Sequence, residues 1–150
     1  MKIPVASDHA GFDAKEKVKK ILTKLGHKPV DFGTDSSQSV DYPDYAKKVA
    51  SQVDRGFYPL GILVCGSGQG MCMAANKFQD VRGALAYDLE SARLTRAHND
   101  SNVLCLPGRT LSEENLATII KEWLETEFEG GRHARRVKKI STINQNKKTP

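Results

Sequence analysis

The chain has 150 residues, 39% hydrophobic and 27% charged, with a formal net charge of +5 at pH 7. That length and mix suit one domain with a sizeable core, and exclude a disordered or collagen-like chain. No apolar run approaches membrane-spanning length, so no membrane partner is expected.

Met1-Lys2-Ile3-Pro4-Val5 reads as the approach to a first strand rather than a signal peptide. Ile3–Ala6 is predicted to be that strand, with Pro4 its one misfit, tolerable near a strand start. Ala14, Val18, Ile21, Leu22 and Leu25 follow helical spacing, and Gly26 ends that helix in the C′ place. Lys28–Phe32 is a second strand closed by Gly33, and Asp35–Asp41 a polar loop. Pro43 suits the first turn of the next helix, whose buried stripe is Ala46, Val49, Ala50 and Val53. Leu60–Val64 is the third strand, and a glycine-rich turn launches a short helix to Lys77. Arg82–Ala86 is the fourth strand, after which Asp88 caps a helix to about His98. Val103–Leu106 is the fifth. Ser112 and Asn115 make an imperfect capping box, although Glu113 and Glu114 favour a helix start. Leu116, Ile119, Ile120, Trp123, Leu124 and Phe128 form its apolar stripe, and Gly130-Gly131 breaks it. A basic helix follows from Arg132 to about Ile140, so residues 1–140 are expected to be one domain and 141–150 a flexible polar tail.

Strictly alternating βα units predict an α/β fold, a Rossmann-like three-layer α/β/α sandwich around a five-stranded parallel sheet. Ligands of such sheets bind beyond the carboxyl ends of the strands. Asp8-His9, Cys65 with its turn, and Pro107-Gly108-Arg109 should therefore crowd one edge.

The turn is Cys65-Gly66-Ser67-Gly68-Gln69-Gly70. Three glycines in five residues strip it of side chains, so its backbone N–H groups can face a ligand, aided by the dipole of the next helix. A thiol beside such amides suits a base that removes a carbon-bound proton while the amides hold the oxyanion. The competing reading is a buried cysteine that closes the core above a tight turn.

Other chemistries fit less well. Gly70 is followed by Met71, where a phosphate loop needs Lys-Ser/Thr and a dinucleotide fingerprint a glycine spacing that is absent. His9, His27, His98 and His133 are scattered without H-x-x-x-H or H-x-H spacing, so no metal is expected. Arg132 and Arg136, one helical turn apart, could grip a phosphate, or form a solvated basic end. The basic residues after Gly130 lack interleaved aromatics, which argues against nucleic acid. Cys65, Cys72 and Cys105 form no C-x-x-C pair, an expectation of free thiols in the cytoplasm.

Several stretches carry a resemblance. They are Ala6-Ser7-Asp8-His9-Ala10-Gly11, Asp41-Tyr42-Pro43-Asp44-Tyr45-Ala46, Cys65 to Met71, Ala74-Ala75-Asn76-Lys77, Ala92 to Asn99, Asn102 to Leu106, and Gly130-Gly131-Arg132-His133. In this order, from Met1 to about Ile140, the chain resembles the type B ribose 5-phosphate isomerases. The resemblance implies interconversion of ribose 5-phosphate and ribulose 5-phosphate without metal or cofactor. It implies Cys65 as the base, in a cysteine subtype, since a sister subgroup has a glutamate where Met71 stands. Gly66 to Gly70, including Ser67, Gly68 and Gln69, matches the loop that holds the enediolate. Ser67 replaces a threonine common in that subtype and keeps the hydroxyl. His98, with Asp8 nearby, matches the ring-opening residue. His9, Arg109, Arg132 and Arg136 match phosphate and substrate contacts, and Tyr42 and Asn99 contacts to sugar hydroxyls. The resemblance also implies a homodimer, or a homotetramer, with sites shared between subunits. Six-carbon sugar phosphates such as allose 6-phosphate or galactose 6-phosphate are the alternative substrates within this family.

Overall fold

Alternating side chains along each central strand divide the interior into two cores. The structure, a computed structural model, describes residues 1–143. Strands β1 (Lys2–Ser7), β2 (Lys28–Asp31), β3 (Gly61–Cys65), β4 (Gly83–Leu85) and β5 (Val103–Pro107) form one parallel sheet in the order β2-β1-β3-β5-β4. Ile62, Val64, Leu104 and Leu106 point to a core shared with α1 (Phe12–Lys24), α4 (Leu89–Ala97) and α5 (Glu113–Glu125). Leu63, Cys65, Val103 and Cys105 point the other way, to α2 (Tyr42–Asp54) and α3 (Gln69–Ala75). Period-two alternation thus produces the three layers expected from the sequence.

The expected buried stripe of α2, Ala46, Val49, Ala50 and Val53, is buried, and Pro43 lies in the first turn. Gly26 follows α1 with φ +81, the left-handed C′ geometry. Pro4 is accommodated by register. The Val5 carbonyl accepts from Phe32 on the β2 side, which turns the Pro4 nitrogen toward β3, and β3 pairs with β1 only from Val5 onward.

Strand boundaries differ from the sequence reading by one residue, α3 ends at Ala75 rather than Lys77, and the last two helices differ as well. Helix α5 ends at Glu125, because Thr126 is extended (φ −75, ψ 127), so Phe128 lies off the helix. Helix α6 runs Arg132–Thr142, two residues into the expected tail, of which residues 144–150 lie outside the described residues. Only His133 of α6 is buried. No helix among the described residues is long and apolar enough to cross a membrane.

Candidate active site

The carboxyl ends of β1, β3 and β5 meet at one cleft of about 260 Å³, lined by Asp8, His9, Ala10, Tyr42, Cys65, Gly66, Ser67, Gly70 and Arg109. The three strand ends that the α/β rule brings together are therefore together. Each wall has a local cause.

Beyond β1, the Asp8 carboxylate accepts the Gly11 N–H at 2.9 Å, which ties down the start of α1. Gly11 must lack a side chain, since a Cβ there would lie 2.4 Å from the Val64 carbonyl oxygen. His9 is oriented from the loop before α2. Its Nδ1 lies 3.1 Å from the Val40 amide nitrogen and 3.2 Å from the Val40 carbonyl oxygen.

At the end of β3, Cys65 is 4% exposed, and its Sγ accepts the Gly68 N–H at 3.1 Å. Gly68 has φ +75, and a Cβ there would lie 2.5 Å from Leu85 Cδ1. Only glycine turns the chain this sharply and still presents its amide to the sulfur. The Ser67 hydroxyl accepts a long bond (3.4 Å) from the Gln69 N–H. Gly68 and Gln69 shape the turn without lining the cleft.

Two glycines are bare because side chains lie over them. A Cβ on Gly66 would lie 3.1 Å from a terminal nitrogen of Arg109, and one on Gly70 2.8 Å from the Tyr42 ring. Arg109 thus reaches the cleft from the loop after β5, and Tyr42 from the first turn of α2. The combination is a sulfur, bare amides, a guanidinium and an imidazole around a small polar hollow, which suits a phosphorylated carbon acid.

The other cysteines differ in kind. Cys105 is fully buried; its hydrogen bond with Cys72, then its burial, push its thiol well above the ordinary range. The same hydrogen bond outweighs burial at Cys72 and lowers its thiol. Cys65 is left as the sulfur at the cleft. All three are free thiols, as the sequence led us to expect.

His98, Asn99, Arg132 and Arg136 are not in this cleft. Helix α4 returns antiparallel to the strands, so His98, its C-cap, sits at the amino edge of the sheet. There Gly61, the first residue of β3, donates to the Asn102 carbonyl. Asn99 lines a separate hollow with Asn76, Arg82, Gly83 and Ile140. Arg132 and Arg136 are exposed on α6. One chain therefore separates Asp8 and Cys65 from His98, which the resemblance associates.

The sequence spacing also left the histidines scattered, whereas the fold stacks His98 on His133 with ring centroids 4.2 Å apart and Glu129 beside both. Burial, then the neighbouring His98 and Arg132, hold the His133 imidazole below its ordinary 6.5.

A family model described as "Ribose/Galactose Isomerase" matches residues 3–140. Ribose-5-phosphate isomerase B of Escherichia coli is 42% identical over 96% of this chain and 97% of its own length. The crystal structure of a ribose 5-phosphate isomerase from Thermotoga maritima is 48% identical with a TM-score of 0.92, covering 95% of this chain and 98% of that one. The ribose-5-phosphate isomerase B of Mycoplasma genitalium, crystallised with bound ribulose-5-phosphate, is 41% identical with a TM-score of 0.90, covering 99% and 97%. Matched along nearly its whole described length and similar to such enzymes almost end to end, the chain belongs to the ribose/galactose isomerase family of enzymes.

Proposed function

We propose that this protein interconverts D-ribose 5-phosphate and D-ribulose 5-phosphate through a cis-enediolate, with Cys65 as the base. The observation that carries the reading is the Gly68 N–H donated to Cys65 Sγ at the floor of the cleft. The thiolate is the form of a cysteine that acts as base or nucleophile. The relatives named as ribose 5-phosphate isomerases, one of them holding ribulose-5-phosphate, supply the substrate class.

The chemistry follows from these groups. Ring opening comes first, because only the open aldose has an acidic C2–H. A base takes the O1 proton and the ring oxygen gains one as the C1–O4 bond breaks; His98 is the group we assign, assisted by Asp8. The Cys65 thiolate then removes the C2 proton, the C1–C2 double bond forms, and the charge moves onto O1. Amide donors of the Gly66–Gly70 turn and the Ser67 hydroxyl stabilise that oxygen. One well-placed donor contributes about 2.7–4 kcal/mol to such a barrier. The O2 proton passes to O1, Cys65 returns its proton to C1, and C2 becomes the carbonyl. Arg109 and His9, with Arg132 and Arg136, hold the phosphate, and Tyr42 and Asn99 meet the sugar hydroxyls.

Since one chain keeps His98 away from Cys65, the complete site is assembled from two copies, in a homodimer or a tetramer of such pairs. The substrate is the small-molecule partner, no cofactor takes part, and the free thiols suit the cytoplasm.

The test is turnover of ribose 5-phosphate by the purified chain and by its Cys65→Ala variant, with allose 6-phosphate and galactose 6-phosphate in parallel. Five-carbon turnover lost with the thiol supports the reading. A higher kcat/KM for either six-carbon ester moves the assignment within the family. Undiminished turnover by the alanine variant removes Cys65 from the mechanism.

A further inference from the structure

Three donor side chains converge away from the cleft, where the segment after α5 enters α6. Glu129 Oε2 lies 3.5 Å from His133 Nε2 and 3.8 Å from His98 Nε2. The donor atoms of all three residues lie within 4.8 Å of one another. Each donor is tied to backbone. His98 caps α4 through its N–H to the Leu94 carbonyl. The Glu129 N–H donates to the carbonyl of Ala97, the residue before His98, at 3.0 Å. His133 lies in the first turn of α6, its N–H bonded to the Gly130 carbonyl and its side chain 9% exposed. Gly130 and Gly131, with φ +65 and +53, make the turn that faces Glu129 and His133 toward each other.

We infer that His98, Glu129 and His133 form an inhibitory binding site for a borderline divalent cation of the zinc class. Two imidazoles and a carboxylate are a zinc donor set that leaves a fourth position for water. A tetrahedral ion with bonds of about 2.0–2.1 Å places its ligands about 3.3–3.4 Å apart. The two measured separations need contract by only a few tenths of an ångström. The imidazole planes are 8° apart, so their lone pairs do not converge while stacked. The more exposed His98 ring turns to meet the ion, and the stack opens. Oxygen-seeking cations such as Mg²⁺ and Ca²⁺ are poorly served by two nitrogens.

The inhibitory part rests on the proposed function, in which His98 moves the proton that opens the sugar ring. A ring nitrogen bound to metal cannot carry that proton. The isomerase needs no metal in this scheme, and the ion acts against it.

The experiment titrates Co²⁺, as a spectroscopic stand-in, and Zn²⁺ into the metal-free full chain and into Glu129→Gln, His133→Gln and Cys65→Ala. Thermal melts of each metal-free variant check folding. The wild type is expected to take up one Co²⁺ per chain, with tetrahedral d–d absorption and no thiolate charge-transfer band. Cys65→Ala retains that spectrum. Glu129→Gln and His133→Gln bind at least tenfold more weakly, since losing even a supporting group around a metal typically costs 10–100-fold. Glu129→Gln keeps its metal-free turnover, and its Zn²⁺ inhibition shifts at least tenfold to higher concentration. A chelator reverses inhibition of the wild type and leaves the metal-free enzyme unchanged. Absence of binding, unchanged affinity in either triad variant, or loss of binding in Cys65→Ala overturns the site. Binding at the triad that leaves turnover of ribose 5-phosphate intact refutes the inhibitory part. Binding by a protein without isomerase activity refutes the proposed function and leaves the site standing.

Discussion

The guanidinium of Arg109 lies over Gly66 so closely that a methyl group on Gly66 would sit 3.1 Å from its terminal nitrogen. The contact couples the loop after β5 to the turn after β3. Gly66 has no positive φ, so Gly66→Ala is expected to keep the fold and displace Arg109. KM for the sugar phosphate should rise severalfold with little change in kcat. Arg109→Ala removes the charged hydrogen bonds altogether, about 1.5–3 kcal/mol, and should raise KM by roughly 10–100-fold. Steady-state kinetics check both, and an unchanged KM in Arg109→Ala means that the guanidinium does not hold the substrate.

Cys65→Ala and Gly68→Ala should fail in different ways. The first removes one sulfur at a strand end and is expected to fold normally while turnover falls at least a hundredfold, the usual scale for losing a catalytic base. The second forces an L residue into φ +75, which costs about 1–2 kcal/mol. It also pushes a Cβ into Leu85, worth about 1–3 kcal/mol more. Calorimetry should find its Tm lowered by roughly 5–15 °C.

Subunit mixing tests the shared site. Cys65→Ala and His98→Asn chains are each expected to be inactive. Unfolded together and refolded at equal ratio, half of the pairs are mixed, and each mixed pair holds one intact site. Recovered activity should approach about a quarter of the wild type for random two-fold pairing. No recovery, with mixed pairs verified by native mass spectrometry, refutes a site shared between Cys65 of one copy and His98 of the other.

Acid stability should depend on Asp31. Burial alone would raise its pKa, but hydrogen bonds from Lys15 and Lys19, each at 2.6 Å, and from the Gly33 N–H hold it below its ordinary 3.8. A depressed carboxylate contributes its full stabilisation above the unfolded pKa and loses it as pH falls through the folded one. Denaturant midpoints should therefore decline below about pH 4 in the wild type. Asp31→Asn should be less stable at pH 7 by about 1–2 kcal/mol, a charged hydrogen bond discounted for a partly exposed carboxylate. Its decline in acid should be shallower, and parallel curves would show that Asp31 contributes nothing to it.

The cleft was legible because it follows from local rules. Apolar strands, glycine turns and the carboxyl-edge rule put Asp8, Cys65 and Arg109 together before any coordinates. Ser112 caps α5 through the Asn115 N–H even though its capping box is imperfect, because the hydroxyl alone satisfies a free amide. The distant part was harder. Spacing cannot reveal that Arg109 and Tyr42 cover Gly66 and Gly70, or that His133 stacks on His98, since these contacts join separate βα units. One available signal was missed. A helix following a parallel strand returns to the amino edge, so a residue at the end of α4 could not meet Cys65 within one chain. The apolar rhythm of α5 ran on to Phe128 because hydrophobicity persists past the helix; the extended Thr126 ends it, and nothing in the periodicity marks that residue.

Cys65 belongs to the layer of α2 and α3, while its neighbour Val64 belongs to that of α1, α4 and α5. This is a matter of parity. Inserting or deleting one residue in the middle of β3, with the turn kept intact, would leave an equally greasy strand and swing the sulfur to the opposite layer. Apolar side chains in that strand are interchangeable in a way that its residue count is not, so this lineage should tolerate substitution there far more readily than a change of length.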